Sequence, residues 1–243
     1  MQLKIRVLSS ILLVVLLGSC SSGPEKQAKN LLEKSISAHG GMDNWESVEV
    51  LKFRKWTRLL KEDGSVESET DQSMEFRLKP FFEGKITWIS DSVEHVSYFD
   101  GAQMRYSVGG NEIQNQDFLA AKKKDMDAAF YVIAQPWKLL QDEGSKLTYE
   151  GVRETPLGLA EVIRVDYGSD EDVWWYYFDP ESFLMTGNEV QLKDHRSLIE
   201  NLSSNNSSPF VFYGERKSYR INEKGEKLYL RAEYLYSDFE VIL

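Results

Sequence analysis

Three histidines, His39, His95 and His195, are the side chains best suited to acid–base or metal chemistry in this 243-residue chain, and they lie far apart. None stands in a His-Glu-x-x-His spacing. Asp194-His195 with Glu200 forms one candidate metal or acid–base set. Adjacent strand residues point to opposite faces, so a hydrogen-bonded turn histidine is the better expectation. His39 falls in the last turn of a helix, where the C-terminal dipole favours its charged form. Asp170, Glu171 and Asp172 form an acidic run without the ordered spacing and glycine of a calcium loop. The sequence has no Gly-x-Ser-x-Gly elbow and no phosphate loop ending in Gly-Lys-Ser/Thr. One cysteine excludes an intramolecular disulfide framework and any multi-Cys zinc site. No catalytic residue, metal ligand or cofactor is therefore expected.

That single cysteine carries a different chemistry. Residues 1–20 begin with a positive region, Lys4 and Arg6. An apolar stretch from Val7 to Leu17 follows, then the small residues Gly18 and Ser19 before Cys20. The order is that of a secretory leader, and the stretch is too short and uneven to read as a spanning helix. Leu17-Gly18-Ser19-Cys20 resembles the bacterial lipobox, in which the cysteine is acylated and becomes the mature N-terminus. The expected organisation is a leader at 1–19, a lipidated Cys20 with a short tether to 24, and one domain at 25–243. Acyl chains each bury CH₂ groups at ~0.8 kcal/mol and hold such a protein on a bilayer without spanning it. Ser21 follows the cysteine, and the absence of Asp there tilts the expected address toward the outer membrane, facing the periplasm.

Lys and Arg number 29 against 39 Asp and Glu, giving a net charge of −10, which argues against a nucleic-acid partner and against electrostatic membrane adhesion. Apolar residues at 42% and charged residues at 28% are those of a globular protein rather than a disordered one.

The elements that must position any site alternate in texture. Pro24 and Glu25 suit a helix start, Ala28, Leu31, Leu32, Ser35 and Ile36 fall on one helical face, and Gly40-Gly41 stops it. Trp45 is expected to plug the core. From Val48 the pattern turns to β, with turn signals at Asp63-Gly64, Asp100-Gly101 and Gly109-Gly110-Asn111. Residues 117–140 break it with a helical stripe, Asp117 being the candidate N-cap and Pro136 dividing the segment. Strands then resume, with the Ser/Asn stretch 203–208 reading as a loop. About eleven strands in a meander predict a β-rich α+β fold: one strongly curved antiparallel sheet, its concave face covered by the N-terminal helix and the central insertion.

Such a cup leaves a choice. Aromatics on both faces of 173–178 fit a sheet packed on both sides, or a face lining an apolar pocket. The pocket reading picks Met74, Phe76, Trp88, Met126, Phe130, Ile133, Trp137, Trp175 and Tyr177 as its lining.

Ala38-His39-Gly40-Gly41-Met42-Asp43-Asn44-Trp45 running into a strand, and Trp174 to Pro180 ending in Phe-Asp-Pro, resemble LolA/LolB-like periplasmic proteins. Pro136-Trp137-Lys138-Leu139-Leu140, Tyr149-Glu150-Gly151 and Asp194-His195 resemble an uncharacterised Bacteroidota lipoprotein family more closely. The resemblance implies an open half-barrel that shelters an acyl chain, lipid or lipoprotein, without enzymatic activity. LolB's membrane-inserting loop has no apolar counterpart in this sequence. Asp91-Ser92-Val93 resembles the Bacteroidota O-glycosylation acceptor, with Ser92 as the modified residue. The alternatives are a scaffold or interaction lipoprotein whose interior is filled by its own side chains and, after it, an envelope hydrolase.

Overall fold

Proline at the first helical position carries a φ already suited to the helix, and an acid beside it complements the helix dipole. In the computed structural model α1 accordingly runs Pro24–Ala38, with Glu25 in its first turn and Ala28, Leu31, Leu32, Ser35 and Ile36 buried. The structure describes residues 23–168, 172–207 and 209–243. The expected leader, Cys20, Asp170 and Glu171 lie outside the described residues. Gly40 and Gly41 turn the chain at φ +123° and +88°. A Cβ at Gly40 would meet the Pro209 carbonyl oxygen at 2.7 Å, so this turn requires glycine for close approach as well as for its backbone angle. The short helix α2, Met42–Ser47, then buries Trp45.

His39 lies between α1 and α2 and is 3% exposed. Its Nδ1 lies 2.8 Å from the Ser35 carbonyl. Burial lowers its pKa, outweighing the bond to Ser35. Desolvation therefore overrides the helix dipole, and the ring is held neutral rather than charged. A neutral-favouring site contributes stability that is fully present above the ordinary imidazole value of 6.5 and is lost as pH falls toward and through the lowered one. The unfolding free energy is expected to decline between about pH 7 and 5, and His39→Gln to flatten that decline. Urea unfolding across this range measures it, and identical slopes in both proteins would refute it.

The first meander comprises β1 (Val50–Leu60), β2 (Val66–Arg77), β3 (Glu83–Ser90), β4 (Val93–Phe99), β5 (Met104–Val108) and β6 (Asn111–Glu112). Helices α3 (Gln116–Ile133) and α4 (Trp137–Gln141) follow. The second run comprises β7 (Lys146–Thr155), β8 (Gly158–Asp166), β9 (Val173–Phe178), β10 (Met185–Gln191) and β11 (Arg196–Asn201). A hairpin, β12 (Ser204–Ser207) with β13 (Phe210–Tyr213), precedes β14 (Glu215–Ile221) and β15 (Lys227–Ile242). Thirteen strands form one antiparallel sheet in the order β6-β5-β4-β3-β2-β1-β15-β14-β11-β10-β9-β8-β7, open at both edges. Its centre is the antiparallel pairing of β1 with β15, from opposite ends of the chain. Register shifts in the pairings of β1 and β14 with β15 mark bulges, which bend and twist strands.

This is the curved sheet the sequence predicts, with strands added where it predicts loop. Arg196–Asn201 is too polar to announce itself, yet it pairs with both β10 and β14. The Ser/Asn stretch is a strand because β13 pairs with it, and β13 is held by burying Phe210, Phe212 and Tyr213. The cap of α3 is Asn115, whose Oδ1 accepts from the Phe118 N–H at 2.9 Å, so Asp117 sits in the first turn instead. Asn115 supplies the extended backbone and side-chain acceptor that a cap needs.

Helices α1, α2 and α3 and the β12–β13 hairpin bury their apolar faces in one main core. Trp45 stacks on Trp137 at 4.5 Å between ring centroids, and Phe130 packs against Phe76 at 5.2 Å and Phe82 at 5.0 Å. A Cβ at Gly84 would stand 2.4 Å from the Met126 sulfur, a measure of how closely α3 is pressed on β3.

Candidate functional site

Sheet register determines what the rest of the concave face presents. Leu59, Ala232, Ser218, Ile199, Asn188 and Tyr176 are successive cross-strand partners on six neighbouring strands. One row over, Thr57, Tyr234, Arg216 and Asn201 are partners, and on the other side Arg220, Ser197, Val190 and Trp174. Side chains two apart on a strand share a face, so these rows form one floor. Asp127, Ala128, Tyr131 and Val132 of α3, with Gln135 just beyond its end, face it, on a different stripe from the one in the core. Between helix and floor lies an open groove of about 820 Å³. Small-ligand sites span roughly 300–1,000 Å³.

Hydrogen bonds fix the groove's frame. Gln135, 5% exposed, donates from Nε2 to the Tyr176 hydroxyl at 3.2 Å and accepts at Oε1 from the Tyr213 hydroxyl at 3.1 Å, tying the end of α3 to the sheet. The Tyr131 and Tyr167 hydroxyls each lie 3.0 Å from Asp142 Oδ2, linking α3 to two loops. Burial, first among the causes, raises the pKa values of Tyr131 and Tyr176, and pushes Tyr167 and Tyr213 up to about 12. These phenols stay protonated at neutral pH and serve as hydrogen-bond donors rather than as acid–base groups. The Thr57 hydroxyl is buried without a partner among the described residues.

None of the nine residues predicted from sequence lines this groove. Met74, Phe76, Met126, Phe130, Ile133 and Trp137 are 0–8% exposed and belong to the packed core. They do share the concave side with the groove, but the α3 stripe that carries Met126, Phe130 and Ile133 packs in the core with Phe76 and Phe82, and Trp137 of α4 packs on Trp45 and Phe210. Trp88 is partly buried against the same core, stacked on His95 at 5.1 Å, and borders with Met74 a separate surface hollow. Trp175 and Tyr177 point to the convex face, where Ala160, Val162, Leu198 and Ile221 form a second small core with Tyr177, and Trp175 packs against it. The Tyr177 hydroxyl donates to Glu189 at 2.9 Å, and Glu189 pairs with Arg196. One face of 173–178 is thus packed, through Trp175 and Tyr177, and the other lines the groove through Trp174 and Tyr176, so the pocket alternative holds with the opposite residues from those predicted.

His195 borders the groove and pairs with Asp194 at 2.7 Å, the hydrogen-bonded turn histidine expected of it. Among the described residues no group of three His, Cys, Asp or Glu is placed to hold a metal ion. Ser92 occupies the exposed two-residue turn between β3 and β4 at φ +65°.

Two solved structures share the architecture. A DUF1329 family protein from Desulfovibrio piger aligns with a TM-score of 0.56 at 8% identity, over 90% of this chain and 94% of its own. An outer membrane lipoprotein-sorting protein domain from Vibrio parahaemolyticus aligns at 0.53 and 7% identity, over 89% and 93%. The chain shares its fold with both. No family model and no curated protein matches the chain. At these identities the fold is what is shared, and residues of the groove are argued from this chain alone.

The groove residues had one signal in the sequence. Arg216, Ser218 and Arg220 alternate with Lys217, Tyr219 and Ile221, so both faces of β14 carry polar or charged groups. A strand at the middle of a sheet with polar groups on its covered face points to a hydrated or ligand-filled hollow rather than a dry core. That inference needs to know which face is covered.

Proposed function

We propose that this chain is a cell-envelope lipoprotein that binds an apolar ligand in the groove under α3: an acyl chain, a lipid, or the lipidated end of another lipoprotein. The observation that carries this reading is the groove itself, walled by Leu59, Val132, Val190, Leu192, Ile199 and Trp174. A scaffold with a filled interior would have no reason to hold α3 off half of the sheet. Binding fits phenols held protonated as hydrogen-bond donors around an apolar wall.

The lipobox-like Cys20 would place this groove at a membrane. From Cys20 to Pro24 the tether is a few residues long at ~3.3–3.6 Å each, so the domain would sit against the bilayer, its ligand source, on the periplasmic side of the outer membrane. Cys20→Ala is expected to move the protein from the membrane to the soluble fraction, and unchanged fractionation would refute the anchor.

The reading of the groove is tested with an uncharged, environment-sensitive acyl probe, a fluorescent fatty-acid methyl ester, titrated into the full chain. Saturable binding with a blue-shifted emission is the expected result. No binding would refute it and leave the scaffold ahead.

A further inference from the structure

Arg216 is only 5% exposed, and among the described residues no carboxylate stands within ion-pair distance of it. Its Nε donates to Asn201 Oδ1 at 2.8 Å and its Nη2 to Asn188 Oδ1 at 3.1 Å. Its guanidinium carbon sits 4.3 Å from the centroid of the Tyr213 ring. Two amide carbonyls and an aromatic face aim the group, but none of them cancels its charge. A buried cation without a counter-charge is costly, and proteins ordinarily pair one. The same sheet does so on its convex face, where Arg196 is matched with Glu189.

The rest of the groove repeats the imbalance. Arg220 contacts Ser197 Oγ at 2.5 Å, a neutral partner, and Lys55 lies 5.3 Å over the Tyr234 ring. The other lining charges are mostly matched: Arg231 pairs with Glu67, and Asp127 with Lys123. Asp172 and His195 stand among the lining residues with them. A chain of net charge −10 therefore turns a cationic floor toward its groove. Unused donors also remain there among the described residues. Two of the five guanidinium N–H groups of Arg216 are used within the described residues, and the Tyr176 hydroxyl, an acceptor for Gln135, has no acceptor for its own proton.

We propose that the ligand of this groove is an anionic amphiphile, and that Arg216 binds its oxyanion, a carboxylate or phosphate at the end of an acyl chain, with Tyr176 as a second donor and Arg220 and Lys55 supplying the field. The fork of a guanidinium matches the oxygens of either anion, which an ammonium does not. The apolar walls take the chain. This specifies the ligand class of the acyl-binding groove and rests on that reading.

The test compares two probes on the full chain at pH 7.5: a fluorescent long-chain fatty acid with a free carboxylate, and its methyl ester. The acid is expected to bind about tenfold or more tightly than the ester, as a charged hydrogen bond to a buried arginine implies. Arg216→Gln is expected to abolish the difference between acid and ester, and Arg220→Gln to reduce it partly. Equal affinities for acid and ester in the unaltered protein would overturn the proposal and leave the groove reading standing. No binding of either probe would overturn both. The acid–ester comparison needs no variant, so it decides the matter even if Arg216→Gln fails to fold. Competition separates the sources of the anion. Displacement of the acid by a lysophosphatidate supports the shared oxyanion site and includes phospholipid headgroups, whereas displacement by fatty acids alone supports it and restricts it to carboxylates.

Discussion

Trp137→Ala is expected to lower the unfolding free energy by about 3–5 kcal/mol, the range for emptying a fully buried aromatic site. The side chain is 0% exposed. It stacks on Trp45 at 4.5 Å with rings 10° apart and meets Phe210 edge-on at 5.8 Å. Its Nε1 donates to the Gly41 carbonyl at 3.1 Å, joining α4 to the turn that ends α1. Removal empties a space bounded by α2, α4 and the β12–β13 hairpin and leaves the half-buried Gly41 carbonyl with only the Trp45 N–H as donor. Against a total stability of ~5–15 kcal/mol for a domain, this is a third or more. Trp137→Phe keeps most of the packing and is expected to cost less than half as much. Denaturant unfolding measures both. A loss under about 1 kcal/mol for Trp137→Ala would mean that the ring lines a hollow after all, since a cavity wall has few contacts to lose. Folded Trp137→Ala protein is expected to retain acyl-probe affinity, because Trp137 is on α4 and outside the groove lining.

The second large effect is in the groove. Ser218→Trp is expected to weaken binding of acid and ester probes alike by about 100-fold or more, roughly 2.7 kcal/mol. Ser218 occupies the middle of the row that runs from Leu59 through Ala232, Ile199 and Asn188 to Tyr176. An indole in that position can rise only into the groove of about 820 Å³, so it fills the ligand's volume without crowding the core. The unfolding midpoint should stay close to that of the unaltered protein. The outcome separates shape from charge: blocking the floor removes both probes, whereas Arg216→Gln removes the preference for the anion. A Ser218→Trp protein that binds the ester normally would show that the ligand lies elsewhere.

Where the sequence and the structure part is most visible on α3. Its helical stripe, Met126, Phe130, Ile133 and Trp137 beyond the break at Pro136, was readable because apolar residues recur at helical spacing whatever they meet. Whether they meet a void or other side chains is a property of the opposing surface, and that surface comes from β2 and β3, forty to fifty residues away. At 173–178 the alternation was equally plain, and its two faces could not be ranked, since Trp174 and Trp175 look alike until one knows which side the helices cover. Arg216 is the strongest case. Nothing local distinguishes it from Arg220 or Lys217, and its meaning lies in what is missing around it once β11, β10 and β13 are in place.

By itself the sequence determined the lipobox-like leader pattern around Cys20, the helix from Pro24 with its glycine stop, Trp45 as a plug, and a curved antiparallel sheet interrupted by one helical segment. These are short-range properties: residue order, periodicity of 2 or 3.6, and turn chemistry. Tertiary structure alone decided three things. It joined β1 to β15 across nearly the whole chain, recruited the polar segments Arg196–Asn201 and Ser204–Ser207 as strands, and set the groove where α3 stands away from the sheet. The physical reason is common to all three. Pairing partners and covered faces are chosen by burial summed over distant segments, which can outweigh the weak local preferences of serine, asparagine and arginine and leave only the polar alternation of β14 as a mark of the site.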